Sequence, residues 1–168
     1  ICLMAQALFD IVEADLPSYL DSQGLASFFP PRRPDSGSIY LTAHLLALDA
    51  VMQSLGEDKM RMDDASSTMI EALTNVVEGR LERKYESVRN NRTVDRLFVI
   101  AALSAQDAAS PSMLESMQIT PQRLPTHALL DWLQILKNLP GIAQREQHLQ
   151  VVEQELRSRI MLTGGAIL

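Results

Sequence analysis

The fold class is decided by the stretch from Ser38 to Gly56, which reads SIYLTAHLLALDAVMQSLG. Ser38 is a typical residue for the N-cap of a helix, and Gly56 is a typical stop signal. Between them, apolar residues fall around most of a helix circumference. We therefore expect a helix from Ile39 to Leu55 that is buried on most of its sides.

Working outward from this helix, apolar residues at three- and four-residue spacing predict further helices. The first covers Ile1 to Asp15, and its buried stripe includes Leu8, Ile11, Val12 and Asp15-Leu16, up to the break at Pro17. A segment from Ser22 to Gly37 follows that is too rich in glycine and proline to be regular. Because this loop also carries aromatic residues, we expect it to pack against the body of the domain.

Five more helices are predicted beyond Gly56. Asp63 and Asp64 open the first of them, whose apolar stripe continues to about Tyr85. The others begin at Thr93, at Ser110-Pro111, after Leu124-Pro125-Thr126, and at Ala143, and the last ends near Met161. About seven helices in successive pairs predict an all-α fold of paired helical hairpins, with no strand needed.

Composition limits the functions that the chain can have. Its 168 residues, 46% of them hydrophobic, suffice for one domain with a core of ordinary size. A net charge of -6 argues against nucleic acid as a partner, because phosphate binding requires a basic surface. The single cysteine, Cys2, excludes an internal disulfide and a thiolate metal cage.

Residues that could carry chemistry are few. His44, His127 and His148 are isolated, and none has a partner at the spacing of a helical metal site such as H-E-x-x-H. No G-x-S-x-G motif frames a nucleophilic serine. The pair Asp63-Asp64 resembles the acidic pairs of helical cyclases, but at a helix start it is more typical of a cap and dipole partner. We therefore expect no catalytic residue, metal, cofactor or small-molecule ligand.

Three other features have structural interpretations. Trp132 and Met69 lie at helical spacing among leucines, which predicts core positions. A basic run is interleaved with glutamates and predicts i,i+4 ion pairs on a solvated face, with docking of an acidic neighbour as a secondary interpretation. The run comprises Arg80, Arg83, Lys84, Arg89, Arg92 and Arg96, and the glutamates are Glu78, Glu82 and Glu86.

Two strings in this order are more specific: Gly24-Leu25-Ala26-Ser27-Phe28-Phe29-Pro30 and Gly37-Ser38-Ile39-Tyr40-Leu41-Thr42-Ala43-His44-Leu45-Leu46-Ala47. They resemble the alpha-2-macroglobulin family. In that family's thioester-type domain, a ring of paired helices called an α/α toroid, a loop with an aromatic pair precedes a helix that opens with Leu-Thr-Ala. The resemblance implies that this helix belongs to the inner layer and that the loop aromatics cover the end of the ring. His44 departs from the pattern, since the family usually has an aromatic residue there.

Weaker motifs extend the resemblance over nearly the whole chain and look like those of bacterial members. They are Val-Glu-Gly-Arg-Leu-Glu-Arg at 77–83, Ile-Thr-Pro at 119–121, Leu-Pro-Thr at 124–126, Leu-Asp-Trp-Leu at 130–133 and Glu-Leu-Arg-Ser-Arg at 155–159. The expected fold is thus part of an α/α toroid.

The family resemblance also implies a function, namely protease trapping. A protease cleaves a bait segment elsewhere in the molecule, the whole protein rearranges, and the protease is caged. The implied partners are other domains of the parent chain and, through the parent, target proteases. The implied location is the periplasm, either free or anchored to the membrane through the parent chain.

The thioester of such proteins is not expected in this chain. Thioester-bearing members carry a Gly-Cys-x-Glu-Gln motif, whereas Cys2-Leu3-Met4-Ala5-Gln6 has the wrong spacing. Cys2 is therefore not assigned as the thioester cysteine, and the sequence predicts a non-catalytic domain.

Both ends of the sequence are apolar, from Ile1 and again from Leu162 to Leu168. We therefore expect residues 1–168 to be a single helical domain fragment, with about half of the helices of a full family toroid, from a much larger multidomain protein. Two alternatives stay open. One is a helical adaptor that binds a protein partner, and the less favoured one is a helical-ring cyclase or glycosidase.

Overall fold

The computed structural model describes residues 3–55, 62–81 and 92–164. In these ranges the chain is helical, and its only extended pairing is an isolated antiparallel bridge between Leu20 and Ala26. The helices are α1 (Leu3–Asp15), α2 (Ile39–Ser54), α3 (Asp63–Val77), α4 (Arg92–Ala105), α5 (Thr126–Asn138) and α6 (Arg145–Gly164). Short 3-10 helices cover Leu16–Tyr19, Pro111–Leu114 and Pro121–Arg123. The all-α fold class is confirmed.

The chain divides into two compact units, Ile1–Ser87 and Val88–Leu168. The first unit holds α1 to α3 and the loop before α2, and the second holds α4 to α6. The toroidal arrangement and the assignment of residues 1–168 to a single domain fragment stay predictions.

The core of the first unit forms where α2 and α3 contact each other. Ser38 caps α2 as predicted, because its hydroxyl accepts the Leu41 backbone N–H at 3.3 Å. The buried stripe of α3 is also confirmed, with Met69 and Leu73 fully buried. The buried residues of α2 are Thr42, Ala43, Leu46 and Asp49, of which Leu46 is fully buried and contributes apolar volume to this core.

Two predicted buried surfaces of this unit are wrong. In the stripe predicted for α1, Leu8, Ile11, Val12 and Asp15 are exposed, because the main contact of this helix is with the 3-10 helix Leu16–Tyr19 that follows it. The last residue of the stripe, Leu16, is buried as predicted. Helix α2 is buried on one face only. The large apolar residues on its opposite face, Tyr40, Leu48, Val51 and Leu55, are each more than half exposed.

The start of α3 is held by a side chain of α2. The carboxylate of Asp49, which is 1% exposed, accepts the backbone N–H of Met62 at 3.2 Å and the hydroxyl of Ser66 at 3.0 Å. It also accepts the side-chain amide of Gln53 at 2.9 Å. Met62 occupies the N-cap position, so Asp63 and Asp64 lie inside the first turn and are not the cap. Asp49 thus takes up a backbone donor that has no partner within the helix.

Helix α3 ends well before the predicted boundary at Tyr85. Gly79 adopts a left-handed conformation with φ of +72°, and the Arg80 N–H reaches back to the Asn75 carbonyl at 2.8 Å. This pair of features is a common glycine-dependent helix stop. Glu78 and Arg80 form an ion pair on the resulting turn, not the i,i+4 pair predicted. Three residues of the basic run, Arg83, Lys84 and Arg89, lie outside the described residues.

In the second unit, α5 contacts both α4 and α6. Trp132 is buried, which confirms its predicted place in the core, and it lies among fully buried aliphatic residues. These are Leu97, Ile100 and Leu103 of α4, Leu129, Ile135 and Leu136 of α5, and Val152 of α6. The predicted short helix after Ser110 is present as a 3-10 turn, but the Ser110 side chain makes no capping hydrogen bond.

An arginine closes the connection between α5 and α6. Arg145 donates from Nε to the Leu136 carbonyl at 2.5 Å and from Nη2 to the Lys137 carbonyl at 3.3 Å. These carbonyls lie in the last turn of α5, where intrahelical donors run out and a positive charge is favourable. The guanidinium therefore ties the start of α6 to the end of α5.

Among the helices of the described residues, none is both long and apolar enough to cross a membrane.

Replacement of Asp49 tests the junction of α2 and α3. We expect Asp49→Ala to lower the free energy of unfolding by about 3 kcal/mol, because buried donors of Met62 and Ser66 lose their acceptor. Urea unfolding followed by circular dichroism measures this change. Asp49→Asn, which keeps one acceptor oxygen, is expected to give an intermediate loss.

The matched control is Asp64→Ala, which removes an exposed carboxylate from the first turn of α3. It is expected to cost less than about 1 kcal/mol. Equal stability of the Asp49→Ala and Asp64→Ala variants would contradict the assignment.

Candidate interaction surface

The loop that leads into α2 is organised by the buried carboxylate of Asp21. Its Oδ1 accepts the backbone N–H of Gln23 at 2.9 Å and that of Leu25 at 3.0 Å. Its Oδ2 accepts the N–H of Gly37 at 2.8 Å, from the far end of the loop. One side chain therefore shapes the first turn of the loop and clasps its two ends together.

Two glycines are required by close contacts at these ends. Gly24 has a φ of +81°, and a Cβ placed there would lie 2.8 Å from Thr68 Cγ2. A Cβ on Gly37 would lie 2.3 Å from the Leu25 carbonyl oxygen, which leaves no room for any side chain. Steric crowding thus explains why glycine stands at these two positions of the family-like strings.

Thr42 joins the loop to the first turn of α2. Its hydroxyl accepts the Ala26 N–H at 2.9 Å and donates to the Ser38 carbonyl at 2.7 Å. The Ser38 N–H in turn donates to the Ala26 carbonyl at 2.7 Å. Leu25 and Ala26 are buried, so the prediction that the loop packs against the body is confirmed for this part.

Beyond Ser27 the loop turns outward. Phe28 and Phe29 are 72% and 79% exposed, so the predicted packing of the loop against the body is wrong for these two aromatics in the described residues. The cause is local, since the backbone is anchored at Ala26 and Ser27 and the next two side chains extend past the packed helices. That they cover the end of a ring stays a prediction. Arg32 and Arg33 lie in the same outward part of the loop and are also exposed. We call Phe28, Phe29, Arg32 and Arg33 the aromatic-arginine tip.

The base of this tip is held by hydrogen bonds on both sides. The Ser27 N–H donates to the Tyr19 carbonyl at 2.8 Å. The hydroxyls of Ser27 and Ser36 lie 3.4 Å apart, and the Ser22 hydroxyl donates to the Pro34 carbonyl at 2.7 Å. The tip is therefore a preorganised projection, which lowers the entropy lost when it binds a partner.

Each of the three histidines has its own structural surroundings. His44 is exposed on α2, with its Nδ1 3.2 Å from the Tyr40 carbonyl oxygen, and His127 is exposed on α5. His148 of α6 is half-buried and meets Trp132 edge-on, with ring centroids 5.9 Å apart. Within the described residues, no three His, Cys, Asp or Glu side chains lie close enough to hold a metal ion. Cys2 lies outside the described residues.

Sequence reasoning missed the polar residues that organise the loop. Asp21 stands three residues before Gly24, and an aspartate before a glycine is a recognisable turn signal because its carboxylate accepts nearby backbone N–H groups. That signal could have identified the turn at 21–25. It could not have identified the clasp to Gly37, since this contact depends on the folded path of the whole loop.

The chain was compared with known proteins. No protein-family model matches the sequence, and neither the curated proteins nor the solved structures give a match. The proposal of a function therefore rests on the residues and contacts described above.

Replacement of Asp21 tests the clasp. Asp21→Asn keeps one oxygen for the turn but presents an amide where Gly37 requires an acceptor, so we expect the loop to open more often. Cleavage by trypsin after Arg32 should then be about tenfold faster than in the unsubstituted protein, as expected for loss of one hydrogen bond to a charged group. Mass spectrometry of timed digests measures the rate.

Asp95→Asn, the same chemical change at an exposed position of α4, is the control and should leave this rate unchanged. If Asp21→Asn also leaves the rate unchanged, the carboxylate does not hold the loop closed.

Proposed function

We propose that this chain is a non-catalytic structural domain of a bacterial protease-trapping inhibitor of the alpha-2-macroglobulin type. Its contribution is to pack within the inhibitor and to move with it when a bait segment elsewhere is cleaved. Its partners are the other domains of the inhibitor and, through them, the trapped protease. The proposed location is the periplasm, with the inhibitor either free or attached to the membrane.

The observation that carries this proposal is the contact between the two family-like strings. Gly24 to Pro30 and Gly37 to Ala47 are separate in sequence, yet Ala26 of the first string donates to Thr42 of the second. Gly37 lies directly against Leu25, too close for any Cβ. The residues that carry the resemblance thus act together as one structural element, which supports a shared fold over a chance similarity of composition.

The chemistry of the buried acids supports a packing role. Asp21 and Asp49 are the buried carboxylates of the described residues, and each accepts three donors from the protein itself. A general acid or base needs a carboxyl group that can reach substrate. Both groups hold backbone and side chains in place, as expected for a domain that works by packing.

The helical adaptor is a second candidate, favoured by the exposed aromatic-arginine tip. Aromatic residues and arginine are enriched among residues that dominate binding energy at protein interfaces. An adaptor would bind its partner without protease cleavage, whereas a trap domain acts only after the inhibitor has been cleaved. This difference in timing separates the two functions.

Incubation of the domain-containing inhibitor with an active protease tests the proposal. We expect hydrolysis of a large protein substrate to fall while hydrolysis of a small peptide substrate continues, because a caged protease admits only small molecules. The protease should also migrate with the inhibitor on a native gel. The isolated 168-residue chain should change neither rate, since the proposed bait segment lies elsewhere.

A protease whose active site has been covalently blocked is the control. It cannot cleave a bait segment and should not migrate with the inhibitor. Equal loss of activity on both substrates, or no loss on either, would reject the trapping function. Stable binding of the blocked protease would favour the adaptor.

A further inference from the structure

Most described side chains of α1 are exposed, and one side of the helix, which we call its outward face, has an unusual composition for a solvent-facing surface. Leu8, Ile11 and Val12 are exposed, and Asp15 continues the same stripe at the next helical position. Glu13 lies beside this stripe and is exposed as well. Helix α1 contains acidic residues and no lysine or arginine. Its outward face is thus apolar with a negative edge.

The aromatic-arginine tip has the complementary composition. Its two exposed phenylalanines supply apolar area, and Arg32 and Arg33 supply positive charge in a chain whose net charge is -6. Guanidinium groups bind carboxylates through paired hydrogen bonds, which orient as well as attract. Apolar contact and opposite charge therefore both favour association of the tip with the outward face of α1.

The two surfaces belong to the same compact unit, and both are exposed in it. The tip and the α1 stripe consequently do not cover each other within one molecule. Two molecules related by a two-fold axis bring each tip to the other's α1, which makes the contact twice and doubles the buried area.

We propose that the aromatic-arginine tip of one copy of this chain docks on the outward face of α1 of a second copy. In this contact, Phe28 and Phe29 pack against the apolar stripe of Leu8, Ile11 and Val12. The guanidinium groups of Arg32 and Arg33 pair with the carboxylates of Glu13 and Asp15. An anionic membrane is the less suitable occupant, because it would repel the acidic helix in the same unit. The proposal is independent of protease trapping.

Sedimentation velocity of the isolated chain over a wide concentration range tests the proposal. We expect a monomer–dimer equilibrium that weakens as salt is raised, because the charge pairs are near the surface. The double substitution Phe28→Ser/Phe29→Ser should raise the dimer Kd by about tenfold or more, as expected for removal of central aromatic contacts. Circular dichroism melts establish that each variant remains folded.

Charge reversal makes the test specific for this pairing. Arg32→Glu/Arg33→Glu should weaken the dimer, and so should Glu13→Lys/Asp15→Lys. The four substitutions combined should restore it, since the charges are then exchanged. Asp15 tolerates this change because the contact it makes to Ser18 uses its backbone carbonyl.

Two control variants address other surfaces. Leu48→Ser/Val51→Ser alters the exposed face of α2, and Arg123→Glu reverses an exposed charge in the second unit. Neither should change the Kd. Monomers at every concentration, loss of the dimer in the α2 variant, or failure of the combined charge reversal to restore it would each overturn the proposal.

A vesicle-binding experiment distinguishes an anionic membrane from a second copy of the chain as the partner of the tip. Vesicles containing anionic phosphatidylserine should not sediment the chain. Sedimentation with these vesicles that depends on Phe28 and Phe29, in a chain that stays monomeric, would assign the tip to a membrane surface and overturn self-association.

Discussion

The loop before α2 can pack against helices only because side chains accept hydrogen bonds from its backbone. A buried backbone N–H without a partner costs about as much as a lost hydrogen bond, and the backbone pairs within this loop leave several of its donors without a backbone acceptor. Asp21 takes three of these donors, at Gln23, Leu25 and Gly37. With the turn and clasp fixed, Leu25 can be fully buried and the tip beyond Ser27 projects from a defined base.

The same requirement explains the unusual arrangement of α2. Thr42 and Asp49 lie seven residues apart on its buried face, and Thr42 binds the preceding loop while Asp49 binds the start of α3. The buried face of α2 accordingly carries a short polar side chain at Thr42 and at Asp49. The larger apolar residues, including Leu48 and Val51, lie on the exposed face. Because Ala43 and Leu46 are also fully buried, apolar residues lie on both faces of α2, unlike an ordinary amphipathic helix with a single apolar side.

How much the sequence predicts depends on which interaction fixes each feature. Helix positions follow from local spacing and caps, so α2, α4 and α5 were predicted to within a few residues, and Trp132 and Met69 were correctly placed in the core. The end of α3 could also be predicted from local sequence, because Gly79 is a helix stop. The apolar residues that continue beyond Gly79 at helical spacing led to a later predicted end. Which face of α2 is buried could not be predicted from local sequence. When apolar residues surround a helix, only contacts with distant partners select the face that is buried.

The exposure of the tip was hidden for a related reason. Aromatic residues in a loop usually indicate burial, since they contribute most when removed from water. Here the backbone anchors at Ala26 and Ser27 fix the direction of the chain, and Phe28 and Phe29 follow that direction outward. Exposed apolar groups on a rigid base are a liability in solution unless another surface covers them. The polar side chains that anchor the backbone therefore explain both the packed loop and the exposed tip. Asp21 accepts backbone donors and Asp49 accepts one backbone and two side-chain donors, so both buried carboxylates fix the positions of neighbouring segments.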